Sequence, residues 1–426
     1  MKKLELLAPA GNILKLKTAL AYGADAVYLG IPDFSLRVRI NDFDLAGIKK
    51  AVAYARTHHK RVYATINIFA HNWHFKKLPA YLKKLREFRV DALIVSDPGI
   101  ISVIKKVWPK AEIHLSTQAN CTNIEAVKFW AGQGIKRIIL GREVTLKEIK
   151  EIHRAVPKME LEYFVHGAMC MAYSGRCFLS KLFTDRSGNL GDCAQPCRWE
   201  YSAARYEIKA ERHEEELEVV SERHGTYLLN SRDLCLLKYL KELAAAGVSS
   251  FKIEGRVKSV YYQATVCGIY RLAIELINKK IPAAKAQTEL DNLERELETK
   301  LVHRGYTIGF LLGGRGEQNI SAAQVKSVWE FCGQVVPVKV GNVGNKGRNF
   351  ICFKVHNTVK VGDELEIIRP NYDIIKIRPK KLWDAKTGLE IKEAHGGGGG
   401  QVAVLESPAL VGAVPEFAVL RRKIKK

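Results

Sequence analysis

Four cysteines crowd one short stretch of this chain. They are Cys170, Cys177, Cys193 and Cys197, in "HGAMCMAYSGRCFLSKLFTDRSGNLGDCAQPC", residues 166–197. Six, fifteen and three residues separate them in turn, and Cys235 follows after thirty-seven more. Thiolates are soft ligands for zinc or for iron–sulfur clusters. A cluster needs several sulfurs converging from irregular backbone, and this Gly- and Ser-rich stretch can wrap around one. Structural zinc sites usually show a short two-to-four spacing twice, and only Cys193 and Cys197 fit that. A disulfide framework is disfavoured by the odd total of nine cysteines and by the amino terminus. There "MKKLELLAPAGN" breaks its apolar run at Glu5 and Pro9, so it reads as a mature, cytoplasmic start where thiols stay reduced. Cys267, Cys332 and Cys352 stand alone in helix or strand patterns and read as small buried hydrophobes.

A second set of polar residues closes successive aliphatic runs: Arg37, Asn67, Asp97, Gln118, Arg142, Glu143, His166, Glu254 and Arg256. Some of these are expected to be helix caps or plain loop residues. If the runs are barrel strands, the rest converge on one mouth. Arginines there suit a carboxylate or phosphate ligand, which a guanidinium grips with two hydrogen bonds. His166 and Glu254 are the expected proton carriers. Other motif matches are weak: "SVIK" at 102–105 lies inside an apolar helix pattern, and "GNVGNKG" precedes a strand.

The elements that must position these residues alternate in type. "LELLAPAG", "ADAVYLGI", "RVYATINI", "DALIVSD", "EIHLSTQAN", "KRIILGRE" and "LEYFVHG" are aliphatic and β-branched runs, as strands buried on both faces are. Helical runs with apolar residues three and four apart separate them. An eighth strand, "SSFKIEGR" at 249–256, follows the cysteine stretch, and "YLLNSRDLCLLKYLKELAAAG" reads as the helix leading to it. Eight such units predict an α/β fold, a (β/α)8 TIM-type barrel over 1–280 with a cysteine-rich insertion at 168–235. The alternative is an open doubly wound sheet, disfavoured because no glycine-rich turn follows the first strand. Residues 281–328 read as a helical connection, and 329–426 as a small all-β barrel of short strands and turns.

The 426 residues include 68 Lys plus Arg against 45 Asp plus Glu, a formal charge of +23. That balance favours a polyanionic partner, because basic side chains meeting phosphates release condensed counterions. No run approaches the eighteen apolar residues of a membrane span, so no membrane partner is expected.

"ELEYFVHGAMCMAYSGRCFLS" closely resembles the signature of peptidase family U32, the collagenase-like proteases. "LLAPAGN", "ADAVYLG", "STQAN", "FKIEGRVKSVYYQA" and "RGYTIGF" resemble the same family in order and position, and the likeness covers nearly the whole chain. "NLGDCAQPCRWEY" and "LLNSRDLC" look most like the branch that hydroxylates tRNA. The resemblance implies an oxygen-independent hydroxylase carrying a 4Fe–4S cluster. It implies 5-hydroxyuridine at the tRNA wobble position as product and prephenate, a small dicarboxylate, as hydroxyl donor. It places the cluster ligands on Cys170, Cys177, Cys193 and Cys235, with Cys197 as the alternative fourth. A homologous partner subunit and an RNA-binding C-terminal domain are further implications. The rival implications are a peptidase, a ribosomal RNA hydroxylase, and a non-catalytic iron–sulfur RNA-binding protein.

Overall fold

The computed structural model describes residues 4–36, 42–170, 172–173, 176–199, 230–279, 281–314, 316–319, 322–337, 350–397, 400–407 and 414–424. Arg37 and the charged run at 207–225 lie outside the described residues.

Strands β1 (Glu5–Ala10), β2 (Ala26–Gly30), β3 (Arg61–Ile66), β4 (Ala92–Val95), β5 (Ile113–Leu115), β6 (Arg137–Ile139) and β7 (Glu160–Ala168) pair in parallel, each with the next. Between them run helices α1 (Ile13–Ala21), α2 (Leu45–Thr57), α3 (Leu78–Phe88), α4 (Pro98–Val107), α5 (Ile124–Gly132) and α6 (Leu146–Ala155). Five of these helices begin at a side chain that accepts a backbone N–H of the first turn, from Asn12, Asp44, Asp97, Asn123 and Thr145. Asp97 is therefore a cap, as some strand-end residues were expected to be.

Past the cysteine stretch come a short helix α7 (Leu179–Thr184), strand β8 (Asp233–Cys235), helix α8 (Leu240–Ala245), strand β9 (Val248–Ile253) and helix α9 (Val260–Asn278). Strand β9 pairs in parallel with both β7 and β1, for example Glu5 opposite Ser250, and so closes an eight-stranded barrel. This is the predicted architecture, with "SSFKIEGR" as its eighth strand. The stretch at 227–247 departs from expectation. The reading made it a helix, yet Asp233–Cys235 is extended and pairs antiparallel with the end of β7. The two carboxylate oxygens of Asp233 bond the backbone and guanidinium of Arg304, which fixes it as strand. Helix α10 (Ala283–Lys300) follows, and the chain then returns as strand β10 (Tyr306–Thr307) beside β8. The predicted helical connection over 281–328 thus holds helix only as far as Lys300.

The interior of the barrel carries a charged core on its lower layers. Arg137 on β6 donates to Glu5 at 2.5 Å and Glu162 at 3.1 Å, and Lys252 donates to Glu162 at 2.7 Å. All four are nearly or fully buried. Burial alone would push the Glu162 carboxyl up, but Lys252 and Arg137 hold it below its ordinary value.

From Trp329 onward an antiparallel eight-stranded sheet surrounds a second apolar core that includes Phe353, Ile367, Leu382, Leu405 and Leu420. It docks on the barrel's helices. Tyr22 of α1 donates to the carbonyl of Ile368, and Arg421, fully buried, bonds Glu296 of α10 at 2.7 Å. Among the described residues no helix is long and apolar enough to cross a membrane.

Candidate active site

The C-terminal ends of the barrel strands open into a cavity of about 380 Å3. Cys170, Cys177, Cys193 and Cys197 all line it. The cysteine excursion is pinned locally. Ser180 of α7 accepts the backbone N–H of Ala194, and Arg186 donates to Asp192 at 2.9 Å. The Cys193 sulfur accepts the backbone N–H of Gln195 at 3.3 Å, the type of bond that stabilises charge on a thiolate. Burial pushes the Cys197 thiol up, Arg198 opposes that, and the negative charge of Cys170, Cys193 and Cys177 pushes it further.

Cys235 is not with them. It is buried on β8 and does not line the cavity. Its sulfur lies 3.7 Å from the Tyr270 hydroxyl, and burial pushes its thiol up to about 11. Cys235 stands opposite His166 in the β7–β8 pairing and packs in the core. Of the two candidates for a fourth ligand, Cys197 shares the cavity with Cys170, Cys177 and Cys193, and Cys235 stands apart from it.

Of the other predicted residues, Asn67, Gln118, Arg142, Glu254 and Arg256 line the cavity. The Arg142 guanidinium pairs with Glu254 and lies 3.9 Å over the Phe164 ring. Arg256 donates to the Leu36 carbonyl and reaches Thr65 at 3.4 Å. Gly167 has φ +120, and a Cβ there would stand 2.7 Å from the Glu254 carbonyl oxygen, so β7 and β9 approach closely at the rim only because this residue is glycine.

His166 does not reach the cavity, contrary to its expected role as a proton carrier. It is 2 % exposed, packed between Tyr262, Tyr270 and Tyr306. Tyr270 donates to the Val165 carbonyl, which leaves its oxygen to accept from His166 Nδ1 at 3.3 Å. Burial pushes the imidazole pKa down from 6.5 to about 3. The unfolded chain therefore binds this proton at a pH where the folded chain refuses it, and stability present above pH 6.5 is lost as pH falls toward 3. Between pH 6.5 and about 5, above most carboxylates, unfolding free energy should drop by up to ~1.4 kcal/mol per unit. His166→Asn should flatten that slope in urea titrations; an unchanged slope would contradict the assignment.

Sequence reasoning missed Arg198, Lys258, Arg304 and Asp233, which also line the cavity. Lys258, Arg304 and Arg198 do lie within the family-like motifs, but nothing in their local pattern marks them as converging. With them the wall carries six cations, Arg142, Arg198, Lys252, Arg256, Lys258 and Arg304, against two carboxylates, Asp233 and Glu254. Lys252 is balanced by Glu162, which leaves five against two. Among the described residues, Arg142 Nε, Arg198 Nε and Arg304 Nη1 are buried donors without a hydrogen-bond partner. Such a wall suits a ligand set carrying negative charge.

The chemistry of these residues suits a 4Fe–4S cluster: four thiols lining one cavity, an N–H donated to one sulfur, and surplus cations to balance a cluster–thiolate anion. Among the described residues no three His, Cys, Asp or Glu side chains stand within reach of a single ion. A cubane asks for a wider spacing, because each of its four cysteine sulfurs binds a different iron.

The family model for peptidase family U32 matches residues 11–321. The chain belongs to peptidase family U32. Among U32 relatives, "tRNA hydroxylation protein P" of Escherichia coli (strain K12) is 38% identical over 412 residues, covering 88% of each chain. "tRNA hydroxylation protein P1" of Bacillus subtilis (strain 168) is 37% identical over 399 residues, 92% of this chain and 90% of that one. "23S rRNA 5-hydroxycytidine C2501 synthase" of Escherichia coli (strain K12) is 32% identical over 397 residues, 88% of this chain but 58% of that one.

Proposed function

We propose that this U32 member is a tRNA-modifying hydroxylase that works without molecular oxygen. In this reading it forms 5-hydroxyuridine at the wobble position, uses a 4Fe–4S cluster held by Cys170, Cys177, Cys193 and Cys197, and takes its hydroxyl group from a small dicarboxylate such as prephenate. The observation that carries the reading is the shared cavity, where four cysteines meet unpartnered guanidinium atoms at a barrel mouth. The likeness to tRNA hydroxylation proteins over most of the chain supports the substrate class.

When bound, the cluster supplies redox-active iron. The protein's own groups do the rest. Arg198, Arg304 and Lys258 offer N–H donors to the donor's carboxylates. Arg142 pairs with Glu254 at the cavity wall, and this carboxylate is the group placed to take up a proton from the reacting base. Asn67 and Gln118 present amides to the edge of a base, which must leave its stack to enter. Tyr262 donates to the Glu254 carbonyl at 2.7 Å and so acts as a positioning residue, and the backbone carbonyl of His166 accepts the Glu254 N–H at 2.8 Å.

A thiol peptidase would need a cysteine activated by a free imidazole. His303, which lines the cavity, has both ring nitrogens engaged, at 3.0 Å to the Glu298 carbonyl and 3.0 Å to the Gly305 N–H. Burial raises the Cys197 thiol, which is the wrong direction for a nucleophile.

The test is nucleoside mass spectrometry of RNA from cells lacking this gene. Loss of 5-hydroxyuridine from tRNA is expected. Unchanged tRNA with loss of a hydroxylated nucleoside from ribosomal RNA would transfer the substrate to the ribosome. No change in either RNA would reject the reading.

A further inference from the structure

The rim of this cavity exposes large apolar side chains that a core would normally bury. Tyr173, Phe178, Leu182, Phe183 and Trp199 are 57, 74, 76, 51 and 41 % exposed, all within the cysteine excursion. Trp73, 55 % exposed, belongs to the loop after β3, which joins the excursion through the Phe69 N–H and the Asn189 carbonyl. Tyr173 also lines the cavity, and the Phe183 and Trp199 rings stand 6.3 Å apart. Large apolar side chains exposed beside a functional mouth mark an interaction surface. Lys76, Arg176 and Lys181, in the same two segments, are exposed too.

We propose that this rim is a stacking platform for unpaired nucleobases of an RNA loop, those that flank the base entering the cavity. The inference rests on the RNA reading above and adds a subsite to it. Extracting one base from a loop unstacks its neighbours, and those bases need ring faces to replace the contacts they lose. Aromatic side chains set among cations supply both ring faces and phosphate neutralisation. The rival occupant is a second copy of the chain. Two copies each carrying +23 repel, whereas an RNA loop is attracted by the same charge.

Phe178→Leu and Trp199→Leu separate these occupants, because leucine keeps apolar area and removes the ring face. The probe is a labelled tRNA anticodon stem-loop, titrated with the full-length protein at several salt concentrations. Each variant is expected to bind roughly tenfold more weakly, with the dependence of log affinity on log salt unchanged, since no phosphate contact is lost. Phe178→Tyr should bind as the native chain does, and all three variants should melt at the native temperature. Native-like affinity of both leucine variants, with the native chain itself binding the stem-loop, would overturn the platform alone. A native chain that does not bind the stem-loop would instead remove the RNA reading. A dimer in sedimentation that Phe178→Asp dissociates would assign the surface to a second copy and overturn the proposal.

Discussion

Cys197→Ser is expected to strip iron from the anaerobically purified protein, taking it from about four irons per chain to less than one. Cys235→Ser is expected to leave the iron in place. The prediction comes from placement. Cys197 shares the cavity with Cys170, Cys177 and Cys193 and feels their charge, whereas Cys235 faces Tyr270 inside the barrel wall. For Cys235 to bind iron, its side chain would have to leave the packing against Tyr270. A serine at 235 can keep a bond to the Tyr270 hydroxyl, so the fold should tolerate it. Iron and acid-labile sulfide analysis of the two variants decides the matter. Retention by Cys197→Ser together with loss in Cys235→Ser would reverse the assignment.

Arg137→Leu should be the costliest single change in the barrel interior. Burial works against its charge, but Glu162 and Glu5 more than reverse that and hold the guanidinium firmly protonated. Removing it leaves the buried carboxylates of Glu5 and Glu162 with Arg61 and Lys252 as their remaining ion-pair partners. Breaking a buried ion pair from one side costs about 3–5 kcal/mol, and these remaining partners should hold the loss to the low end of that range. Arg137→Lys should recover only part of this, since an ammonium can stand in for the Nη1 that reaches Glu5 and Glu162 but not also for the Nε and Nη2 that grip Glu160. Denaturant unfolding of the two variants checks the order. A midpoint unchanged in Arg137→Leu would mean that the network contributes nothing net.

The barrel was legible because its strands are buried on both faces and so appear as unbroken aliphatic runs, from "LELLAPAG" to "LEYFVHG". The eighth, "SSFKIEGR", kept that texture although a long excursion separates it from the seventh. Strands β8 and β10, three and two residues long, are too short to show any period. The leucines around Asp233 therefore read as one face of a helix. What makes them a strand is pairing with β7 and β10, held by the Arg304 N–H that donates to Asp233 from seventy-one positions away.

The site divides along the same line. Asn67, Gln118, Arg142, Glu254 and Arg256 were found because each ends an aliphatic run, and a parallel barrel delivers strand ends to one face. Arg198, Lys258 and Arg304 were missed because their convergence depends on how the excursion and the return segment near β10 fold back. Spacing set Cys170, Cys177, Cys193 and Cys197 in one stretch, and they do line one cavity. It carries no information on whether Cys197 or Cys235 faces that cavity, because this depends on how β8 packs against Tyr270. His166 was placed at the strand end correctly and given the wrong task, since three tyrosine rings close over it.

RNA hydroxylation, in the proposed reading, depends on a cluster held by the cysteines gathered at the barrel mouth. Nucleoside mass spectrometry of tRNA tests it in cells that lack the chromosomal gene and express either the native chain, Cys197→Ser or Cys235→Ser. The account predicts that 5-hydroxyuridine returns with the native chain and with Cys235→Ser, and stays absent with Cys197→Ser. Full restoration by a chain in which Cys170, Cys193 and Cys197 are all serine would contradict it.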